Sequence, residues 1–247
     1  MPTLLLIDNS NSRTKAALAS PDALADDDVR THPTPDLTPE ALAELTHDWS
    51  YDRLIVSSVV PDKQQLITDT LGTTNTLAVS DDINLGITVD FPNPASIGAD
   101  RLANAVAVSH LHSVPAVVID FGTAVTFDIV SADNAYIGGV IAPGLDVMTD
   151  YLHHRTALLP KIDLIEPPAV IGKSTTDAML AGVVHGYRGL IKEIISEIQK
   201  TEADPLQVVA TGGYAALIAA KLPLIQSVHP NLTLEGLRLI ANLNPQS

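Results

Sequence analysis

Two related α/β lobes, each a mixed sheet flanked by helices, are what this sequence predicts, and three observations lead there. The segment Leu6-Ile7-Asp8-Asn9-Ser10-Asn11-Ser12-Arg13-Thr14 aligns with Val118-Ile119-Asp120-Phe121-Gly122-Thr123-Ala124-Val125-Thr126, pairing Asp8 with Asp120 and Thr14 with Thr126. Each copy reads as apolar strand, Asp, small polar turn, second strand, the pattern of a repeated hairpin. A long helix from Ser174 keeps a 3.6-residue period through Leu180, Val183, Val184, Tyr187, Leu190, Ile191, Ile194, Ile195 and Ile198. A third apolar strand, Val208–Ala210, runs into Thr211-Gly212-Gly213. The repeat divides the chain near Ser113 to Pro115, into an N-terminal lobe over 1–114 and a C-terminal lobe over 115–247.

The elements follow in order. Leu4–Ile7 is a strand, and Arg13–Leu18 its antiparallel return. The stretch Ser20–Pro39, rich in Pro, Asp and Thr and carrying Asp26-Asp27-Asp28, predicts an exposed acidic loop. Thr38 and Pro39 are N-cap and first-position residues for a helix running to Trp49. Leu54–Val60 is a β-branched strand, and Arg101–His112 a helix with Leu102, Ala105, Val106 and Leu111 on one face. Ala215–Leu222 and Leu234–Leu243 close the chain as helices.

Composition narrows the function classes. The formal charge of −15 and the lack of a dense Lys/Arg cluster argue against a nucleic-acid partner. The absence of cysteine rules out disulfides, thiolate metal sites and a cysteine nucleophile. No apolar run approaches the ~20 residues that span a bilayer, and no basic-then-apolar leader opens the sequence. These features predict a cytoplasmic protein with no membrane partner. Two motifs are decoys. Gly172-Lys173-Ser174 resembles the end of a P-loop, but Pro167 stands where the upstream Gly is required. His110 and His112 diverge on a helix, and His153-His154 reads as a loop or a dimer surface.

Hairpin turns with a leading Asp suit anions. Their backbone N–H groups form concavities for phosphate, and the carboxylates can hold a metal directly or through water. Asp100, in Gly98-Ala99-Asp100-Arg101 before a helix, suits two roles: a general base for an alcohol, or a first-turn Asp that stabilises the helix dipole. Arg101 likewise suits a surface ion pair. Asp120 suits a strand-end Asp bonded to its own turn, Thr175 part of the cap begun by Ser174 and Asp177, and Gly212-Gly213 a plain turn.

Taken together, the blocks Asp8–Lys15, Gly98–Arg101, Asp120–Ala124 and Ile171-Gly172-Lys173-Ser174-Thr175 resemble the type III pantothenate kinases. Gly138–Gly144 and Leu234–Arg238 agree as flanking segments. That family sits in the superfamily of actin, sugar kinases and heat-shock chaperone ATPases. The resemblance implies ribonuclease-H-like lobes of the actin-like ATPase fold with a cleft between them. The implied activity is ATP-dependent phosphorylation of pantothenate, the first step toward coenzyme A. It makes Asp100 the catalytic base, with Phe91, Gly98, Ala99, Asp100, Arg101 and Thr175 around the pantothenate. Asp8, Asn9, Ser10, Asn11, Ser12, Arg13, Thr14, Lys15, Thr123, Gly212 and Gly213 would bind ATP. Asp8 would orient its Mg²⁺, and Asp120 would hold a monovalent cation, K⁺ or NH₄⁺. A homodimer is implied as well.

Two departures stand out. The family usually has Gly where Ser10 stands, and a Cβ there restricts positive φ. It often has Tyr where Phe91 stands, so a ring is kept and a hydroxyl lost. Two other functions fit the same blocks: a kinase for a different small alcohol, and a nucleotide-binding accessory or regulatory protein without turnover. The three acids Asp8, Asp100 and Asp120 favour the enzyme.

Overall fold

A computed structural model describes residues 3–72 and 74–245. In chain order the strands and helices are β1 (Leu4–Asn9), β2 (Arg13–Ala19), β3 (Arg30–Pro33), α1 (Pro39–Leu45), β4 (Arg53–Ser58), α2 (Pro61–Leu71), β5 (Thr76–Ala78), β6 (Thr88–Val89) and α3 (Ala99–Leu111). They continue with β7 (Ala116–Phe121), β8 (Ala124–Val130), β9 (Ala135–Pro143), α4 (Leu145–Arg155), α5 (Thr175–Gln199), β10 (Gln207–Gly212), α6 (Ala215–Ala219), β11 (Ser227–Val228) and α7 (Leu232–Leu243). The chain forms two compact units. One holds the residues up to Ser113, Asp133–Gly138 and the residues from Asn231 on; the other holds Val114–Ala132 and Gly139–Pro230. Helix α7, which the sequence reading places in the C-terminal lobe, thus belongs to the first unit.

The first unit is built on a sheet in the order β3-β2-β1-β4-β5. β1 is central and buried along its whole length, which is why its run Leu4–Ile7 carries no polar residue. β2 returns antiparallel, with Asp8 opposite Lys15 and Asn9 opposite Thr14. β4 and β5 lie parallel beyond β1, reached by α1 and α2 as parallel strands require. A core of Leu5, Ile7, Leu42, Leu54, Val56 and Ile67 fills one side. β6 pairs with the first residues of β9, Thr88 opposite Ala135 and Val89 opposite Tyr136.

The second unit repeats the plan, in the order β11-β10-β7-β8-β9. β7 and β8 form the antiparallel hairpin, and β10 lies parallel to β7. Helix α5 buries Val183, Val184, Tyr187, Ile191 and Ile195 against Val117, Ile119, Phe127 and Val208. The Ser174 hydroxyl caps it, accepting from the Asp177 N–H at 3.1 Å.

Several expectations shift. β3 lies inside the stretch read as a loop, paired with β2 from Arg13–Pro33 to Ala16–Arg30. Its alternating half-buried and exposed residues carry no apolar signal. Asp28 there accepts from Trp49 Nε1 and pairs with Arg30, whose guanidinium stacks 4.0 Å from the Trp49 ring. The side chain of Asp26 lies outside the described residues. The helix from Pro39 stops at Leu45 rather than Trp49. His153 and His154 occupy the last turn of α4. The repeat is also offset by one residue. The first turn spans three residues, Ser10–Ser12, and the second two, Gly122 and Thr123, so the ladder sets Lys15 opposite Asp8 but Thr126 opposite Asp120.

Helices α3 and α7 pack at close quarters. A Cβ on Gly236 would fall 2.0 Å from the Ala103 carbonyl oxygen. The Thr233 hydroxyl and Asn104 Oδ1 are bonded at 2.9 Å in the same interface. Gly236→Ala must therefore push the helices apart. We expect a loss of about 2 kcal/mol, the usual scale of overpacking, read as a fall of roughly 4–8 °C in melting temperature for a chain of this size.

Candidate active site

In the first unit, the β1–β2 turn is tied down from inside. Asn9 is buried; its Nδ2 donates to the Thr14 hydroxyl at 2.8 Å, and its Oδ1 accepts from the Ser58 hydroxyl at 2.7 Å. The Thr14 and Thr34 hydroxyls are 2.9 Å apart. The side chains of Asn9 and Thr14 thus hold the hairpin to β4 and to Thr34, whereas Asn11, Ser12 and Arg13 are exposed. Ser10 closes the turn: its N–H and its hydroxyl both donate to the Arg13 carbonyl, at 3.1 and 2.9 Å. Asn134 is the one non-glycine residue with positive φ among those described, so Ser10 sits in its turn without backbone strain. Asp8, buried, is the last residue but one of β1, beside this turn.

Gly98 is the residue before α3, and Asp100 lies in the first turn. A Cβ on Gly98 would fall 2.5 Å from Asp100 Oδ1 and 3.3 Å from Val59 Cγ1. Glycine there makes room for the carboxylate. Asp100 Oδ1 accepts the Arg101 N–H at 2.8 Å. Burial pushes the Asp100 carboxyl above the usual carboxylate range, and the Arg101 N–H and guanidinium only partly offset this. Val59, whose N–H donates to the Asn9 carbonyl at 3.1 Å, touches both motifs. The exit of β4 therefore brings the first hairpin and Asp100 together. A cavity of about 350 Å³ opens beside them, lined by Ser58, Val59, Ser80, Asp81, Ser96 and Gly98.

Phe91 and Arg101 meet through a residue the sequence reading did not single out. The Tyr136 ring is fully buried, packs edge-on to Phe91 at 6.2 Å between centroids, and lies 5.8 Å from the Arg101 guanidinium carbon. Phe91 also covers Gly138, whose φ of +120° favours glycine. The alternation Tyr136, Gly138 within Ala135–Ala142 was the available signal, but its glycines obscured the strand.

In the second unit, Gly212 has φ +90°, and a Cβ there would fall 2.6 Å from Asp120 Oδ1 and 2.7 Å from the Phe121 backbone N and O. The Gly213 N–H donates to the Phe121 carbonyl at 3.1 Å. Asp120 and Gly212 are thus packed together with no room for a side chain at 212, whereas a Cβ on Gly213 would meet nothing within 4 Å. Thr123 is exposed in its turn; its carbonyl accepts the Gly144 N–H at 3.0 Å, and lies 2.1 Å from where a Gly144 Cβ would be. Thr175 is exposed in the first turn of α5. Among the described residues, no group of three or more His, Cys, Asp or Glu gathers as a metal cage, and no helix is long and apolar enough to cross a membrane.

Helix α6 begins two residues after Gly213 and is anchored at its far end. Arg188, buried on α5, donates Nε to the Ile218 carbonyl and Nη2 to the Leu217 carbonyl. Its two Nη atoms also grip Glu166 at 3.0 and 2.7 Å.

Two mixed sheets, each with an antiparallel hairpin beside a parallel strand and flanked by helices, give this chain the actin-like ATPase fold. The chain matches MreB 5 of Spiroplasma citri bound to AMPPNP with a TM-score of 0.56 at 10% identity, over 98% of this chain and 96% of that one. It matches a Baf-family transcriptional activator from Campylobacter jejuni with a TM-score of 0.64 at 21% identity, over 98% of each chain. Likeness at these identities shows the fold alone. The family is shown by the sequence. The family model for type III pantothenate kinase matches residues 4–197. The type III pantothenate kinase of Akkermansia muciniphila is 49% identical over 242 residues, 98% of this chain and 99% of that one. The chain belongs to the type III pantothenate kinase family.

The Glu166 clamp has a pH signature. Hydrogen bonds from Arg188 and then Lys221 hold the Glu166 carboxyl down at about 2. A depressed carboxylate contributes stability above its unfolded value of 4.5 and loses it as pH falls toward about 2. Glu166→Gln should flatten the dependence of melting temperature on pH across that window. An acid limb as steep as the wild type's would remove Glu166 from this role.

Proposed function

We propose that this chain transfers the γ-phosphoryl group of ATP to pantothenate, giving 4′-phosphopantothenate, the first step of coenzyme A biosynthesis. The placement of Asp100 carries the reading. It is a half-buried carboxylate of raised proton affinity, lodged where Gly98 leaves space for it beside the first phosphate hairpin. A base of this kind suits an alcohol acceptor. The acceptor oxygen forms its bond to the γ-phosphorus, the bond from that phosphorus to the bridging oxygen of ADP breaks, and the hydroxyl proton passes to Asp100. Phe91, Gly98, Ala99, Arg101 and Thr175 bind the acceptor, with Arg101 braced by Tyr136. Residues Asp8–Lys15 of the first hairpin, with its Ser10–Ser12 turn, together with Thr123 and the Gly212-Gly213 loop, bind ATP.

Mg²⁺ arriving with ATP offsets charge on the phosphates. It keeps several waters and needs only one or two carboxylates, and Asp8 near the end of β1 fits that demand. A monovalent cation, K⁺ or NH₄⁺, would fall to the Asp120 carboxylate, which lies against the Gly212 backbone beside the second hairpin turn. A homodimer and a cytoplasmic location go with this reading. Gly182, Gly186 and Gly189 are exposed along α5 with nothing within 4 Å of their Cβ positions, and Ile165, Val170 and Ile171 before it are exposed apolar residues. Sedimentation at micromolar concentration checks the dimer; a single monomer species rejects it.

The test is ADP release with ATP, Mg²⁺ and pantothenate, with and without K⁺, and with the product weighed by mass spectrometry. Phosphopantothenate formation stimulated by K⁺ is expected. ATP binding without product would favour the accessory role, and product from another alcohol a different kinase. Asp100→Asn should lower kcat by roughly 10²–10⁴, the usual weight of a general base. Its melting temperature at neutral pH should hold or rise. The fold penalises the ionised Asp100, so the cost is present at pH above its raised value and absent below the unfolded value of 3.8. For the same reason the acid limb of kcat/KM should lie above 3.8.

A further inference from the structure

The Gly212-Gly213 loop is held on one side by backbone, with Gly212 paired to Phe121 at the end of β10. Gly213 has no side chain, and α6 beyond it runs only from Ala215 to Ala219, with no side-chain cap on its first turn. Arg188 secures the far end of α6, not the loop. The near end is Tyr214, which follows Gly213 directly. Its hydroxyl donates to Asp146 Oδ1. Asp146 lies in the first turn of α4, two residues after Gly144. Gly144 in turn is bonded to the Thr123 carbonyl, so close that no side chain fits. A continuous path therefore runs from the Gly-Gly loop through Tyr214, Asp146 and Gly144 to the second phosphate turn. On the other side, Gly213 is bonded to Phe121 at the base of the same turn.

We propose that the Tyr214–Asp146 hydrogen bond is a positioning latch for the nucleotide. It fixes the Gly212-Gly213 loop against the Gly122-Thr123 turn, and so sets the affinity for ATP without touching the acceptor chemistry. This rests on ATP binding at those two loops. The bond joins a neutral donor to a carboxylate, the stronger class of hydrogen bond. Preorganising a loop raises affinity by removing the ordering cost from the binding step.

The test is steady-state kinetics on the full chain, with binding of a non-hydrolysable ATP analogue measured by calorimetry. Tyr214→Phe removes only the hydroxyl. It should raise KM for ATP and weaken analogue binding about fivefold, the scale of one partly exposed charge-assisted bond. KM for pantothenate and kcat should stay within about twofold. Asp146→Ala should do the same, and Asp146→Asn, which keeps an acceptor oxygen, should do less. The double variant Tyr214→Phe/Asp146→Ala should be no worse than either single one, because partners in one bond are non-additive. Three results would overturn the latch: unchanged affinity in Tyr214→Phe, additive losses in the double variant, or equal losses in kcat and both KM values, which mark general damage. A wild-type chain that fails to bind the analogue overturns the nucleotide reading itself, and the latch with it. Wild-type binding with an unaltered Tyr214→Phe overturns the latch alone.

Discussion

The approach of α7 to α3 at Gly236 is the constraint on which the first unit depends. With a glycine there, the Ala103 carbonyl can come within a distance that no side chain allows, and Asn104 and Thr233 bond beside it. That contact places α3, and α3 places its own first turn. Gly98, just before α3, completes the arrangement by leaving space for the Asp100 carboxylate. Asp100 is thus positioned by two missing side chains, one behind the helix and one before it. A helix N-terminus favours a nearby anion, yet burial dominates here and raises the proton affinity of Asp100.

The second unit uses the same device differently. Gly212 and Gly144 each lie against backbone atoms at distances that exclude a Cβ. The result is a surface made of N–H and carbonyl groups around one carboxylate, Asp120. Backbone-built sites of this kind bind anions through N–H groups and cations through oxygens, with no basic side chain required. This resolves an apparent conflict in the composition. A chain with a formal charge of −15 can still bind a triphosphate if the local field comes from oriented peptide groups and bound cations rather than from lysines.

The strands that were readable in the sequence are those at the centres of the sheets. β1, β4, β7 and β10 are apolar runs because they are covered on both faces, and the small polar turns after β1 and β7 were equally plain. β3 escaped because it sits at an edge, with exposed residues alternating along it; its pairing comes from backbone bonds that leave no mark on residue choice. β9 escaped because Gly138 and Gly139 interrupt it, and Tyr136, its most buried side chain, went with it. The offset between the hairpins escaped because aligning Asp8 with Asp120 counts residues, whereas a ladder counts turn length. One residue fewer in the second turn moves Thr126 into the place that Lys15 holds in the first.

The same distinction explains which parts of the site were visible. Motif residues such as Asp8, Asp100, Asp120 and Gly212 are short-range patterns, each recognisable within a few positions. Their supports are not. Val59 touches both first-unit motifs from the end of β4, and Arg188 reaches α6 and Glu166 from the middle of α5. Such residues are chosen by packing at long sequence separation, and nothing in their local sequence distinguishes them from ordinary core or surface positions. Ser10 shows the converse. Judged by pattern, it departs from an expected glycine; in the turn it closes with its own hydroxyl and the Arg13 carbonyl, a serine needs no positive φ. A substitution at a glycine position weakens a site only where the backbone there demands what glycine alone can supply, and at Gly212 it does.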